Sequence, residues 1–353
     1  MAHTIRDACS SVCGSSSNGN WNQEGGACFV SAALFFQIMA ITFLYTPIAR
    51  PGGEKNTMKR RTFIETSIAA AAAFAARPSW AAEDSHKVNP IGLQLYTVRE
   101  VLKTHFDETI AKVAATGYKE VEFAEDYGGH SPKDLRTLLD KDGLVSPSAH
   151  IRYELIEKKW AETLDAGHVI GHQYIVCPWI DEKQRNADGW KRVVELFNKA
   201  GEASQKAGIQ LCYHNHSFEF APVEGLDGKS AYEYLLTETD PKLVKMEMDL
   251  CWISVAGKDP VSYFDKYPRR FPMVHVKDYV NDPNATSSYA GATGSVEFKG
   301  RLADVGQGTI DWKRIFAHSE KAGIEHYFVE NDDAKKPFED IKISYDYLSG
   351  LRF

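Results

Sequence analysis

The sequence predicts a single α/β domain over residues 82–353, folded as a (β/α)8 TIM-type barrel. Three observations predict it. From residue 91 onward, short runs rich in β-branched and aromatic residues alternate with longer runs of helical period. The alternation repeats eight times in about 260 residues, which suits a closed parallel barrel. The first unit also lacks the glycine-rich phosphate turn of an open doubly wound sheet, since Leu95-Tyr96-Thr97-Val98-Arg99 has no glycine.

The elements follow in order. Residues 91–98 (IGLQLYTV) read as strand one and 99–115 as its helix. Residues 119–123 form strand two, and Ser131-Pro132-Lys133-Asp134 opens a helix with an N-cap serine and proline at the first helical position. Strand three spans 144–151 with a helix at 154–167; strand four spans 173–177 with a long helix at 188–207. Strand five spans 209–213 with a helix at 230–239; strand six spans 243–248 with a short helix near 259–267. Strand seven spans 273–276, the long segment 278–309 reads as a lid or rim loop, and a helix follows at 311–323. Strand eight spans 327–330, and a helix at 336–348 closes the chain.

Composition agrees with a globular protein. Of 353 residues, 43% are apolar and 12% aromatic, which excludes disorder, collagen and coiled coil. A net charge of −7 argues against a nucleic-acid partner, because phosphate binding needs a positive face. Six cysteines do not make a disulfide scaffold. Cys177, Cys212 and Cys251 lie in apolar, strand-like runs and read as buried free thiols.

The first eighty residues read as something other than fold. Residues 28–49 are a run of 22 without charge, long enough to span a bilayer. Next comes Met58-Lys59-Arg60-Arg61-Thr62-Phe63-Ile64, then an Ala-rich stretch and Ser79-Trp80-Ala81. A basic region, an apolar region and a small-x-small site make a secretory signal, here of twin-arginine type over 58–81. The expectation is export by the twin-arginine machinery to the periplasm or beyond, with Met58 as the start and 1–57 as an upstream extension. In the alternative, 28–49 is a membrane anchor. The leader to Ala81 holds seven Lys/Arg and four Asp/Glu, so Ala82–Phe353 carries 34 against 44, a net of −10 over 272 residues.

In such barrels the C-terminal strand ends carry the site. Here they carry Glu122, His150, His214-Asn215-His216 followed by Glu219, Asp249 then Trp252, His275 then Lys277-Asp278, and Glu330. A core built for stability alone would not bring so many ionisable groups to one rim, because unpaired buried charge is costly. Imidazoles and carboxylates together suit one divalent ion, Mn, Zn, Co or Mg. Alternation puts His214 and His216 on one face, and His275 and Lys277 on one face. Lys277 can bind a substrate oxygen or stabilise an enolate; its plain alternative is a salt bridge to Asp278 or Glu330. Tyr96, Trp179, Phe218 and Trp252 offer apolar platforms for a sugar ring. No Gly-x-Ser-x-Gly is present, so a nucleophilic hydrolase is disfavoured.

Five segments resemble the sugar phosphate isomerase/epimerase family of xylose-isomerase-like barrels. They are Gly92-Leu93-Gln94-Leu95-Tyr96, Tyr213-His214-Asn215-His216-x-Phe218-Glu219-Phe220, Met248-Asp249-x-x-Trp252, His275-Val276-Lys277-Asp278, and Asp304-Val305-Gly306-Gln307-Gly308 before Asp311-Trp312. The resemblance covers roughly residues 90–350. It implies one divalent ion held by His214, Asp249, His275 and Glu330. The strand-end reading itself assigns catalysis to Glu330, His216 and Lys277, and substrate contacts to Glu122, His150, Trp252 and Tyr96. One position departs from the family: its epimerases usually end strand five in Glu, as metal ligand and half of a two-Glu proton relay, where this chain has His214.

The expected function is therefore a metal-dependent isomerase or epimerase of a keto- or aldo-sugar, working through an enediolate. Its alternative is a metal-dependent dehydratase or lyase of a keto-sugar or keto-inositol, since the Tyr-His-x-His run looks similar to that of inosose dehydratase-like members. A non-catalytic sugar-binding barrel is the third reading. The DNA-cutting branch is disfavoured by the acidic charge and the export signal. The expected partner is a small sugar, and a homo-oligomer is left open.

Overall fold

The structure is a computed structural model that describes residues 86–285 and 289–353. Its strands are β1 (Ile91–Gln94), β2 (Glu120–Ala124), β3 (Val145–His150), β4 (Tyr174–Cys177), β5 (Gln210–His214), β6 (Val244–Asp249), β7 (Met273–Val276), β8 (Asp278–Asn281), β9 (Gly300–Ala303) and β10 (His326–Val329). Eight of them close into a parallel barrel in the order β1-β10-β7-β6-β5-β4-β3-β2, and β8 with β9 forms an antiparallel pair. The expected (β/α)8 barrel is what the chain forms.

Local chemistry sets the helices. Ser131 accepts from the Asp134 amide at 3.2 Å and caps the helix Pro132–Asp142; Gly143 ends it at φ 69°, a left-handed position that favours glycine. Asn186 caps Ala187–Lys206 by accepting from the Gly189 amide at 3.0 Å. That helix buries Trp190, Val193, Phe197, Ala200, Gly201 and Ser204, the three-and-four spacing of one face. Burying a side chain the size of Phe197 contributes about 1.5–3 kcal/mol.

Several elements differ from the sequence reading: the helices expected at 99–115 and 154–167 are each two, Arg99–Leu102 with Phe106–Thr116 and Tyr153–Lys158 with Trp160–Ile170, and Leu250–Val255 adds an unexpected one. Strand one stops at Gln94, whose side chain accepts from the Tyr96 amide at 3.1 Å and turns Leu95–Val98 into a 3-10 helix. The helix expected at 311–323 is two short helices, Trp312–Phe316 and Ser319–Ala322. The expected loop 278–309 contains the β8–β9 pair and a short helix, Ala290–Thr293.

The Asp278 carboxylate organises that segment. Its oxygens accept from the amides of Tyr279 (2.9 Å), Gly306 (3.1 Å), Gly308 (3.1 Å) and Ile310 (3.3 Å) and from Trp312 Nε1 (3.1 Å). A Cβ on Gly308 would fall 1.9 Å from Asp278 Oδ1, so only glycine fits there.

Cys177, Cys212 and Cys251 are free and buried, as expected. The apolar run 28–49, the twin-arginine-type segment 58–81 and the first three cysteines lie outside the described residues. Among the described residues, no helix is long and apolar enough to cross a membrane.

Candidate active site

Parallel pairing brings the strand ends level. Gln94 lies opposite Glu122, and Glu122 opposite Ser148. His214 lies opposite Glu247, and Asp249 opposite His275. Side chains on one face of neighbouring strands therefore converge inside the barrel mouth.

His214, Asp249, His275 and Glu330 are all buried, and their ligand atoms lie within 4.8 Å of one another. His275 is held from both sides: Nδ1 lies 2.8 Å from Glu330 Oε2, and Nε2 lies 2.7 Å from Glu122 Oε2. Asp249 accepts the Trp252 amide on Oδ1 at 2.7 Å and faces Lys277 Nζ with Oδ2 at 3.0 Å. Lys277 is itself buried and also meets Glu330 at 2.6 Å and Asp332 at 3.1 Å. Its expected alternative partner Asp278 points into the hairpin root instead, so the ammonium joins Glu330 and two further carboxylates.

One layer further in, Glu247 Oε2 lies 2.7 Å from His150 Nε2, 3.2 Å from His275 Nε2 and 3.3 Å from His214 Nδ1. Glu122 takes a hydrogen bond from Gln94 Nε2 at 2.7 Å and another from the Ser148 hydroxyl. Sequence reading missed Glu247, Gln94, Ser148 and Asp332.

Electrostatics sorts these groups. Burial would strip Lys277 of its proton, but Asp249, Asp332 and Glu330 outweigh burial and hold its pKa well above the usual value. Burial, with the neighbouring His275, pushes His214 down to about 4. Burial and the adjacent His214 push His216 well below the ordinary imidazole value, so it is neutral. Burial and the nearby Glu247 raise Glu122. Asp332 rises to about 6, through burial and the Glu330 and Asp249 charges working against Lys277.

His216 packs edge-on against His214 and Trp179, both with ring centroids 4.9 Å away, and its Nδ1 has no hydrogen bond. Trp252 is fully buried, with Lys277 Nζ 5.2 Å over its ring and Tyr289 and Phe298 edge-on. It forms the wall behind Lys277 rather than an open platform, because the hairpin segment covers it. Tyr96 stays 42% exposed with the Arg99 guanidinium 4.0 Å over its ring. The structure thus brings together every expected site residue except Tyr96.

The donor set fits a divalent ion. Buried Glu247 Oε1 carries no hydrogen bond, while Asp249 Oδ2 meets the Lys277 ammonium and His214 Nδ1 lies 3.3 Å from Glu247 Oε2; an unmatched buried carboxylate oxygen costs stability unless a ligand meets it. Imidazole and carboxylate are ordinary ligands for such an ion. His214, Asp249, His275 and Glu330 can hold it.

Comparisons with known proteins agree with this geometry. The model of a family described as xylose isomerase-like TIM barrel matches residues 110–348. An inosose dehydratase of Lacticaseibacillus casei is 26% identical over 261 residues, covering 66% of this chain and 85% of that one. The solved structure of a sugar phosphate isomerase/epimerase from Parabacteroides distasonis ATCC 8503 superposes with a TM-score of 0.61 at 27% identity, covering 76% of this chain and 96% of that one. The IolI protein, solved with a zinc atom, shares the fold at 14% identity and a TM-score of 0.54, covering 75% of this chain and 99% of that one. With the family match running over every barrel strand but the first, and the barrel closed around a buried polar mouth, the chain belongs to the xylose isomerase-like TIM barrel family.

Proposed function

We propose that this protein is a divalent-metal-dependent dehydratase of a cyclic keto-sugar or keto-polyol. The observation that carries the reading is His214 at the end of β5. Moving a proton between two faces of one carbon calls for a base on each face, whereas elimination calls for one base and one acid. With an imidazole in place of the usual carboxylate, this mouth offers unlike groups rather than a matched pair. The inosose dehydratases among its relatives support the same reading.

The roles follow from the geometry. A bound ion supplies Lewis acidity toward the substrate carbonyl and its neighbouring hydroxyl. His216 Nδ1, buried and free of hydrogen bonds, takes the proton from the carbon beside the carbonyl. Lys277 Nζ holds the negative charge that develops on oxygen. Asp332, 3.1 Å from Lys277 and 20% exposed, delivers the proton to the departing β-hydroxyl. Glu122 and His150 line the inner floor against the ring.

A second reading is an isomerase or epimerase, favoured by the likeness to the Parabacteroides distasonis protein. It shares the C–H abstraction and differs in the last step, where the proton returns to carbon. The test is incubation of the metal-loaded protein with inososes and keto-sugars in D2O. Dehydration gives an ultraviolet-absorbing enone. Deuterium at carbon without loss of water gives the isomerase reading. No exchange on any substrate would leave a sugar-binding barrel. Export belongs to the same proposal, on the Arg60-Arg61 segment; N-terminal sequencing of the secreted protein tests it.

A further inference from the structure

We propose that His150, His214, Glu247 and His275 form an alternative transition-metal site, one layer deeper than the set of Asp249 and Glu330 with which it shares His214 and His275. The proposal rests on the reading that the barrel mouth binds metal, and not on the reaction assigned to it.

Four observations carry it. The four ligand atoms lie within 4.8 Å of one another, and all four residues are buried. Three imidazole nitrogens from β3, β5 and β7 surround one carboxylate oxygen of β6, at 2.7, 3.2 and 3.3 Å. The other oxygen, Glu247 Oε1, has no hydrogen bond, and neither has His214 Nδ1. Glu330 grips His275 Nδ1 at 2.8 Å, which leaves Nε2 directed inward; a carboxylate behind a metal-binding histidine works in this way.

The surroundings permit the exchange of protons for metal. Imidazoles gain a metal by giving up protons, so the groups that now accept those protons must stay satisfied without them. Glu122 also accepts from His275 Nε2, but Gln94 and Ser148 still satisfy it when that proton leaves. The outer carboxylates differ. Asp249 and Glu330 already face the Lys277 ammonium at 3.0 and 2.6 Å, so an ion there competes with a fixed cation. Glu247 faces imidazoles. Three nitrogens and one oxygen favour zinc, cobalt or nickel over magnesium or manganese.

The decisive measurement is anomalous diffraction at the zinc edge from crystals of the full chain loaded with Zn2+. The expected result is a peak bonded by His150, His214, Glu247 and His275 at about 2.0–2.2 Å. A peak found only between Asp249 and Glu330 overturns the proposal and leaves the outer assignment standing. No peak after loading overturns both. In solution, Glu247→Gln lowers Zn2+ affinity at least about tenfold in competition with a chromophoric chelator, and Asp249→Asn lowers it by less. The reverse pattern overturns the proposal. His150→Gln repeats the test from a second strand, and thermal melts confirm that each variant is folded.

Discussion

The two ends of this barrel bury polar groups in opposite ways. At the N-terminal end, Glu120 pairs with His326 at 2.8 Å and Glu325 accepts from the Tyr174 hydroxyl at 3.0 Å. Arg270 there donates to the carbonyls of Val244 and Leu236 and to the Thr239 hydroxyl. Every one of these groups is matched. At the C-terminal end, carboxylates and imidazoles crowd together and remain incompletely matched. Among the described residues, eleven buried side-chain atoms have no hydrogen bond, and six belong to His214, His216, Ser217, Glu247, Asp249 and Trp252. Buried charge is therefore no sign of a site in itself. A surplus of converging groups is, because folding alone gains nothing from it.

The contrast can be broken by experiment. Its strongest test is His275→Ala, which removes one of the two rings common to both ligand sets. Metal content by elemental analysis and turnover should both vanish; retention of both would mean that the crowded end is merely structural. Lys277→Met should lower kcat about 10²–10³-fold while metal stays bound. An unchanged kcat would return Lys277 to the role of a salt bridge. At the matched end, His326→Ala should cost about 3 kcal/mol in urea unfolding, with kcat unaltered. A fall in kcat without a fall in stability would erase the distinction between the ends.

His172 provides a smaller, pH-dependent control outside both ends. It is buried against Ser146 and Tyr127, and burial lowers its pKa from 6.5 to about 4. The unfolded chain then takes up the proton first, so stability falls as pH drops from about 6.5 toward 4. Between pH 7 and 5 the loss is about 2 kcal/mol, at 1.36 kcal/mol per unit. Urea unfolding of wild type and His172→Gln at both pH values should show that difference; equal losses would sink the assignment.

Much of this was legible in the sequence because strands announce their inward faces by alternation. His150, His214, Asp249 and His275 end apolar runs, and the parallel register brings them level. Glu247 was also within reach: in Met246-Glu247-Met248-Asp249 it shares a face with Asp249, yet it reads as strand interior between two methionines. Asp332 follows β10 in a turn, where no period points anywhere. Strand one stops short of Tyr96 because Gln94 ends it with a side-chain hydrogen bond that apolar patterning does not register. The burial of Trp252 depends on Tyr289 and Phe298, far along the chain in the segment after β8, and no local signal records that contact.

The Asp278 carboxylate has a consequence for how such enzymes diversify. It knots the base of the β8–β9 pair to the turn at Gly306–Trp312, immediately beside Lys277. A segment tied at its root can be exchanged at its tip, since lengthening a loop whose ends are already fixed adds little entropy cost. Such exchange is limited to residues other than those that dock on the barrel, Tyr289 and Phe298 on Trp252, Gly291 on Arg185 and Ala292 on Ser217, while Lys277 below keeps its position.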